Sequence, residues 1–280
     1  MSEYSGIVAD LDESIYHRLD ELSSTEARML LQSPAKYRYR KTNPPLMEPR
    51  DVFDVGSAIH AKVLGVGAPV RVLDYPDWRS KAAREDRDLA RQSGETPVLQ
   101  SQYEEIEHIA EAVLAEPTAR EVLDRPGIRE ASIFAAVDEV PCRGRFDFLP
   151  DAGAGRRIAV DLKSTQDASP YQFTRSVAKF EYAIQRAWYL DALKAVTGED
   201  GEMVFVAVEK EPPYLVAVHQ LDPHWREIGH QKADLARDLY KQYVTADVWP
   251  NWPGDEGGVH VLSAPFWYVA EHEEAEGEIQ

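Results

Sequence analysis

After Pro126-Gly127 the sequence changes from a helical period to a period of two, and this change limits the fold more than any other feature of the chain. Ile133 with Phe134, then Val137, and later Phe146 with Phe148 read as two strands joined by the acidic turn Asp138-Glu139. A third strand, residues 157–163, follows the turn Gly153-Ala154-Gly155. Residues two apart in a strand share a face. Ile158, Val160 and Leu162 therefore take one face of the third strand, and Asp161 and Lys163 the other. In the strand before it, Phe146 and Phe148 point inward, which leaves Arg143, Arg145 and Asp147 together on the opposite face. Gly144 lets a backbone or ligand come close there. Glu130 opens the first strand on the parity of Ser132 and Phe134. If the three strands are neighbours, Glu130, Asp147 and Asp161 converge with Lys163.

Such a set suits a hard divalent cation such as Mg²⁺ or Mn²⁺, which takes carboxylates and phosphate oxygens as ligands. It also suits a surface salt-bridge patch, in which an exposed Asp161–Lys163 pair is worth under about 1 kcal/mol. Strand parity alone leaves both open.

Helical patterns lie on either side of the strands. Ser23-Ser24-Thr25-Glu26 offers hydroxyl caps ahead of Met29-Leu30-Leu31, and Pro34 breaks or kinks the helix beyond them. Val55, Ile59 and Val63 form an i, i+4, i+8 stripe with His60 beside it. Residues 71–95 mix charges and lack large apolar groups, which predicts an exposed or mobile insertion. Helical spacing returns from Gln102 to Leu123 and again, as one long pattern closed by Gly198, from Pro170 to Val196. Two more strands, Met203 to Val208 and Tyr214 to His219, precede a last helix from about Asp222 to Tyr243. The pattern predicts an α/β chain with a central sheet flanked by helices. It divides into an acidic arm or loosely attached cap (1–22), a main domain (23–250) and a C-terminal segment with a glutamate-rich, solvated tail (251–280).

Charge narrows the partners. Lys and Arg number 31 against 49 Asp and Glu, so the 280-residue chain carries −18 and cannot coat nucleic acid or anionic membrane through bulk charge. Residues 28–50 run the other way: Arg28, Lys36, Arg38, Arg40, Lys41 and Arg50 face one acid, Glu48, with Tyr37 and Tyr39 interleaved. The single cysteine, Cys142, excludes an internal disulfide and a four-thiolate iron–sulfur cluster, and reads as a small strand filler. No run approaches the roughly 18 apolar residues of a membrane span, and Met1-Ser2-Glu3-Tyr4-Ser5 carries no basic region ahead of an apolar run. A soluble cytosolic protein is expected.

Arg143-Gly144-Arg145-Phe146-Asp147 followed by Asp161-Leu162-Lys163-Ser164-Thr165 resembles the PD-(D/E)XK nuclease signature in its RecB-family form. Three further motifs stand in the family's order: Gly56-Ser57-Ala58-Ile59-His60 upstream, Glu130-Ala131-Ser132, and Gln185-Arg186-Ala187-Trp188-Tyr189 downstream. A lone D-x-K is weak; the ordered set across residues 54–190 is specific. Ser93 to Leu99 and Asp191-Ala192-Leu193 fit the RecE-type exonucleases (exonuclease VIII) and related phage proteins, and the resemblance spans about residues 20–250. Where iron–sulfur relatives carry a cysteine-proline, this chain has Ser33-Pro34.

The resemblance implies a PD-(D/E)XK restriction-endonuclease-like core. It also implies an Mg²⁺-dependent exonuclease, with Mn²⁺ able to substitute, that digests linear double-stranded DNA 5′-to-3′ from an end and leaves a 3′ strand for an annealing recombinase. His60, Asp147 and Asp161 would be metal ligands, with the Leu162 carbonyl and Glu130 completing one or two shells. Lys163 would activate the attacking water, and Gln185 and Tyr189, on one helix face, would hold Lys163 or touch the DNA backbone. Arg143, Arg145, Ser164, Thr165, Lys36 and Arg38 are candidate DNA contacts. A ring-shaped tetramer is the family's assembly. An endonucleolytic relative, or a silent DNA-end-binding protein, would carry the same fold. Without the motif set, His60 reads as a satisfied core histidine, and Arg143 and Arg145 as partners of local acids such as Glu139.

Overall fold

The computed structural model describes residues 3–43, 51–153, 156–255 and 257–270. Glu48 and Arg50 of the basic segment, Ala154 and Gly155 of the glycine turn, and the glutamate run from 271 lie outside the described residues.

The chain opens with β1 (Gly6–Val8), α1 (Glu13–Tyr16) and β2 (Leu22–Ser23), then α2 (Ser24–Gln32), α3 (Pro34–Thr42) and α4 (Asp51–Leu64). Next come β3 (Val70–Leu73), α5 (Lys81–Gln92), β4 (Thr96–Leu99), α6 (Gln100–Ala115) and α7 (Pro117–Leu123). The centre is β5 (Gly127–Val137), β6 (Val140–Pro150) and β7 (Ile158–Thr165). It is followed by α8 (Pro170–Phe180), α9 (Tyr182–Thr197), β8 (Glu202–Glu209), β9 (Val216–Gln220) and α10 (Pro223–Ala246).

A mixed sheet of order β1-β5-β6-β7-β8-β9 forms the middle, with β2 parallel to β6. β5, β6 and β7 are neighbours through antiparallel ladders, and β7 pairs in parallel with β8. Asp138 and Glu139 both take positive φ in the two-residue turn of the β5–β6 hairpin, as a primed turn requires. One layer over the sheet packs Leu30 of α2, Trp188 of α9 and Ala233 of α10 against Phe146 and Phe205. The other packs Ile59 of α4, Ile106 of α6 and Val122 of α7 against Phe148, Val160 and Leu162. With both faces covered, β8 buries six of its eight residues and β7 the four from Ala159 to Leu162.

The structure departs from the pattern in five places. Residues 3–22 are no loose cap: Gly6–Val8 pair antiparallel with Ser132–Phe134, and Leu22 pairs with Cys142. Residues 71–95 are no mobile insertion, because β3 and β4 form a two-stranded parallel sheet and α5 packs through Ala83 and Ala90. Its contact face is alanine, which a search for large apolar groups misses. Gln102 to Leu123 is two helices, divided where Pro117 starts α7 with Glu116 as its cap. Pro170 to Val196 is also two, divided at Glu181, which adopts left-handed φ of 55°. Glu181 holds this conformation while pairing with Lys232 of α10 at 2.7 Å. Finally, Glu130 lies inside β5 rather than at its start, and Phe146 and Phe148 enter opposite layers.

Candidate active site

That last departure builds the site. Arg129 pairs with Phe148 and Ala131 with Phe146, so Glu130 stands opposite Asp147, yet these two make no ladder pair. Glu130 has φ of 51°, a conformation costly for a residue with a side chain and one that clusters at functional sites. The alternation of β6 breaks at the same level, which frees Asp147 from both packed layers. β6 meets β7 through one ladder pair, Phe148 with Val160, and beyond it the strands part. Asp147 bridges the opening: its Oδ2 accepts the Leu162 N–H at 2.6 Å.

His60 reaches this point from α4, its Nδ1 3.6 Å from Asp147 Oδ2. Ligand atoms of His60, Glu130 and Asp147 all lie within 4.8 Å of one another. Burial, and then the charge of Asp147, push the Glu130 carboxyl up to about 7. One imidazole and two mutually repelling carboxylates are a donor set suited to Mg²⁺ or Mn²⁺, and a cation would relieve the repulsion.

Asp161 stands beside that cluster but outside it. It is 2% exposed, and its Oδ2 lies 2.5 Å from Lys163 Nζ. Gln185 Nε2 donates to its Oδ1 at 2.7 Å. Burial raises the Asp161 carboxyl to about 6 against the opposing pull of Lys163, so it is ionised at neutral pH. Burial lowers the affinity of Lys163 for its proton, but Asp161 and Asp147 outweigh it and the net shift is upward. Lys163 is therefore an ammonium, 4.8 Å from the centre of the Tyr182 ring.

The helix α9 sets this arrangement from below. Gln185 and Tyr189 are buried: the first holds Asp161 rather than Lys163, and neither faces solvent where a DNA backbone could meet it. Gly144 is the counterpart of Tyr189, since a Cβ there would lie 2.7 Å from the tyrosine ring. The close approach that glycine permits is thus to a side chain of the core. Burial raises the Tyr189 hydroxyl to about 12, so it stays protonated.

The arginines are spent internally. Arg143 is 3% exposed, paired with Glu26 at 3.1 Å and bonded to the Leu19 carbonyl. It is a structural strut between β6 and α2 rather than a phosphate contact, and its acid is Glu26, not Glu139. Arg145 donates to Ser132 Oγ at 3.0 Å and to the Leu11 carbonyl at 2.7 Å, lying over Tyr16. Arg38 packs over Trp249, and Lys36 is exposed on α3. Ser164 and Thr165 line a cavity beyond Lys163. Cys142 is buried in β6.

Two residues not singled out from the sequence belong to the neighbourhood. Tyr182 lies under Lys163, and Arg28 of α2 bonds the Phe180 carbonyl close enough to Asp161 to feel its charge. Tyr182, Gln185 and Tyr189 follow a 3–4 spacing along α9, a signal that would have found the tyrosine. Arg28 carries no such pattern.

Residues 19–256 match the family described as "PDDEXK-like domain of unknown function (DUF3799)". The chain belongs to this family. A crystal structure from Eubacterium rectale described as "Putative exonuclease" is similar over 94% of this chain and 98% of its own, with 12% identity and a TM-score of 0.60. That likeness carries the fold: a central mixed sheet flanked by helices, as in PDDEXK-like nucleases. The structure of SSO0001 aligns over 85% of this chain and 83% of its own at 14% identity, with a TM-score of 0.35, too distant to bear on the fold. No curated protein matches the sequence. Among the described residues, no helix is long and apolar enough to cross a membrane.

Proposed function

We propose that the protein is a divalent-metal-dependent deoxyribonuclease that hydrolyses phosphodiester bonds of linear double-stranded DNA from an end, 5′-to-3′, in the cytoplasm. The observation that carries this reading is the adjacency of two charge groups: His60, Glu130 and Asp147 on one side, the Lys163–Asp161 pair on the other. The first three residues would hold Mg²⁺ or Mn²⁺, and Asp161 and the Leu162 carbonyl border that position. A bound cation polarises the phosphate and lowers the pKa of water, the chemistry a phosphodiester otherwise lacks.

The side chains supply the rest. Lys163 Nζ, held charged, donates to the non-bridging phosphate oxygen on which negative charge grows as water attacks and the P–O3′ bond breaks. Asp161 aims that ammonium, and Gln185 fixes Asp161. Tyr189 sets the height of α9 under β6. Glu130, with one carboxylate oxygen toward the cation position, would have the other available to accept a hydrogen bond from water. The exonuclease description of the structural neighbour supports cleavage from an end, and the order of the five motifs supports a nuclease. The exposed 3′ strand would then pass to an annealing recombinase.

Digestion of end-labelled linear duplex and covalently closed circles in Mg²⁺ tests this. Mononucleotide release from linear DNA alone is expected. Cutting of closed circles would reject the exonuclease in favour of an endonuclease, and no cutting in Mg²⁺ or Mn²⁺ would reject the enzyme.

A further inference from the structure

A cavity of about 390 Å³ opens beside Lys163, between the end of β7 and α8. That size falls within the range of small ligand pockets, about 300–1,000 Å³. Ser164 and Thr165, which follow Lys163 directly, form one wall, and Tyr182, whose ring lies beneath the Lys163 ammonium, forms another. Arg175, Lys179 and Lys210 converge on it from α8 and from the end of β8. Among the described residues, none of these three cations has a carboxylate partner, in a chain where acids outnumber bases 49 to 31. Nearby acids are engaged elsewhere: Glu181 with Lys232, Glu209 with the Ala168 N–H, and Asp167, the one carboxylate on the cavity wall, with the Ser169 N–H.

Aromatic rings accompany the cations. Tyr171 and Phe180 are 68% and 45% exposed, large apolar faces left to solvent on a helix whose Phe173 and Val177 are buried. Arg175 lies over Tyr171, Lys179 lies over Phe180, and Phe180 stacks on Tyr182 at 5.7 Å. Unpaired cations alternating with exposed rings suit an unpaired strand, whose phosphates seek charge and whose bases seek flat faces.

We propose that this cavity is a single-strand subsite, which seats the backbone of the strand being cut next to the scissile phosphate, with unpaired bases on Tyr171 and Phe180. The proposal rests on the nuclease reading of the neighbouring site and adds a substrate requirement to it: the cleaved strand must be separated from its complement on this side of Lys163.

The test is fluorescence anisotropy of a short fluorescein-labelled oligothymidylate, titrated with full-length protein in EDTA across a salt series. A blunt duplex and a duplex with a single-stranded overhang serve as competitors. The triple variant Arg175→Gln, Lys179→Gln, Lys210→Gln is expected to bind the oligonucleotide at least about tenfold more weakly. The slope of log affinity against log salt should shrink by about 2, three cations at roughly 0.7 each. Tyr171→Ala should weaken binding with the slope unchanged, and Lys81→Gln on α5 should leave both unchanged. An unaltered affinity and slope in the triple variant, no oligonucleotide binding by wild type, or wild-type preference for the blunt duplex would each overturn the subsite. Cleavage is scored separately in Mg²⁺. If wild type cuts no DNA while binding still depends on the three cations, the nuclease reading fails and the subsite stands. If wild type cuts and the triple variant binds unaltered, the reverse holds.

Discussion

Lys163 and Asp161 sit 2.5 Å apart with Gln185 behind them, and each member of this chain has a separable effect. Lys163→Ala is expected to abolish cleavage while Mn²⁺ binding, followed by calorimetry, stays near wild type, because the ammonium is no ligand of the His60–Glu130–Asp147 group. Retained cleavage would remove the role given to Lys163. Gln185→Ala should lower kcat by about 10–100-fold, the usual cost of losing a group that orients a working side chain, with little change in KM. Glu130 gives a pH signature. Its carboxyl is held near 7 in the fold against about 4.5 unfolded, so the protonated form is favoured by folding. The stability it contributes is complete below about 4.5 and is lost as pH rises through 7, a change of about 2–3 kcal/mol after allowing for partial exposure. Thermal melts of metal-free protein between pH 5 and 8 should fall more steeply for wild type than for Glu130→Gln. Mn²⁺ should raise the wild-type Tm at pH 8 and hardly at pH 5; equal slopes for the two proteins would refute the assignment.

Between elements, the contact that matters most is β6 on α9. Gly144→Ala would push a methyl into the Tyr189 ring, and overpacking of this kind costs about 1–3 kcal/mol. Because Gln185 shares that helix, the shift should carry Asp161 with it. The expected result is a lower Tm together with a drop in kcat that Tyr189→Leu, which vacates the space, partly rescues in the double variant; a drop in Tm with unchanged kcat would uncouple α9 from the site. The elements themselves were largely legible: period two marked β5, β6 and β7, and the hydroxyl caps offered by Ser23-Ser24-Thr25-Glu26 marked the start of α2, where the structure closes a capping box between Ser23 and Glu26. Illegible parts share a cause. Glu130 and Glu181 adopt left-handed backbone without being glycine, so the break in β6 alternation and the division of α8 from α9 leave no mark in local composition. Arg143 shares strand parity with Asp147 and looked equally available, but which arginine meets an acid from α2 is decided by packing over more than a hundred residues of chain. Likewise α5 is held by alanines, whose small contact face resembles none at all.

At the scale of the molecule, −18 of net charge must be reconciled with the polyanionic substrate proposed above. Several of the basic residues are spent in ion pairs, as Arg143, Arg186 and Arg237 are, while Arg175, Lys179 and Lys210 gather at the cavity beside Lys163. A duplex passing such a surface gains little from long-range attraction, and what it gains is screened within about 8 Å at physiological salt. Sustained digestion therefore needs some hold other than charge. The ring-shaped tetramer implied by the resemblance to RecE-type exonucleases would provide one, because a threaded duplex leaves only by reaching its end. Light scattering on the full-length chain is expected to give four times the 31.6 kDa protomer mass. Raising salt should then slow the start of digestion, which requires capture of an end, without shortening the tract removed per encounter when excess unlabelled duplex is added as a trap. A monomeric mass, or tract lengths that fall with salt as steeply as initiation does, would show instead that the enzyme holds DNA only through the local cations around Lys163.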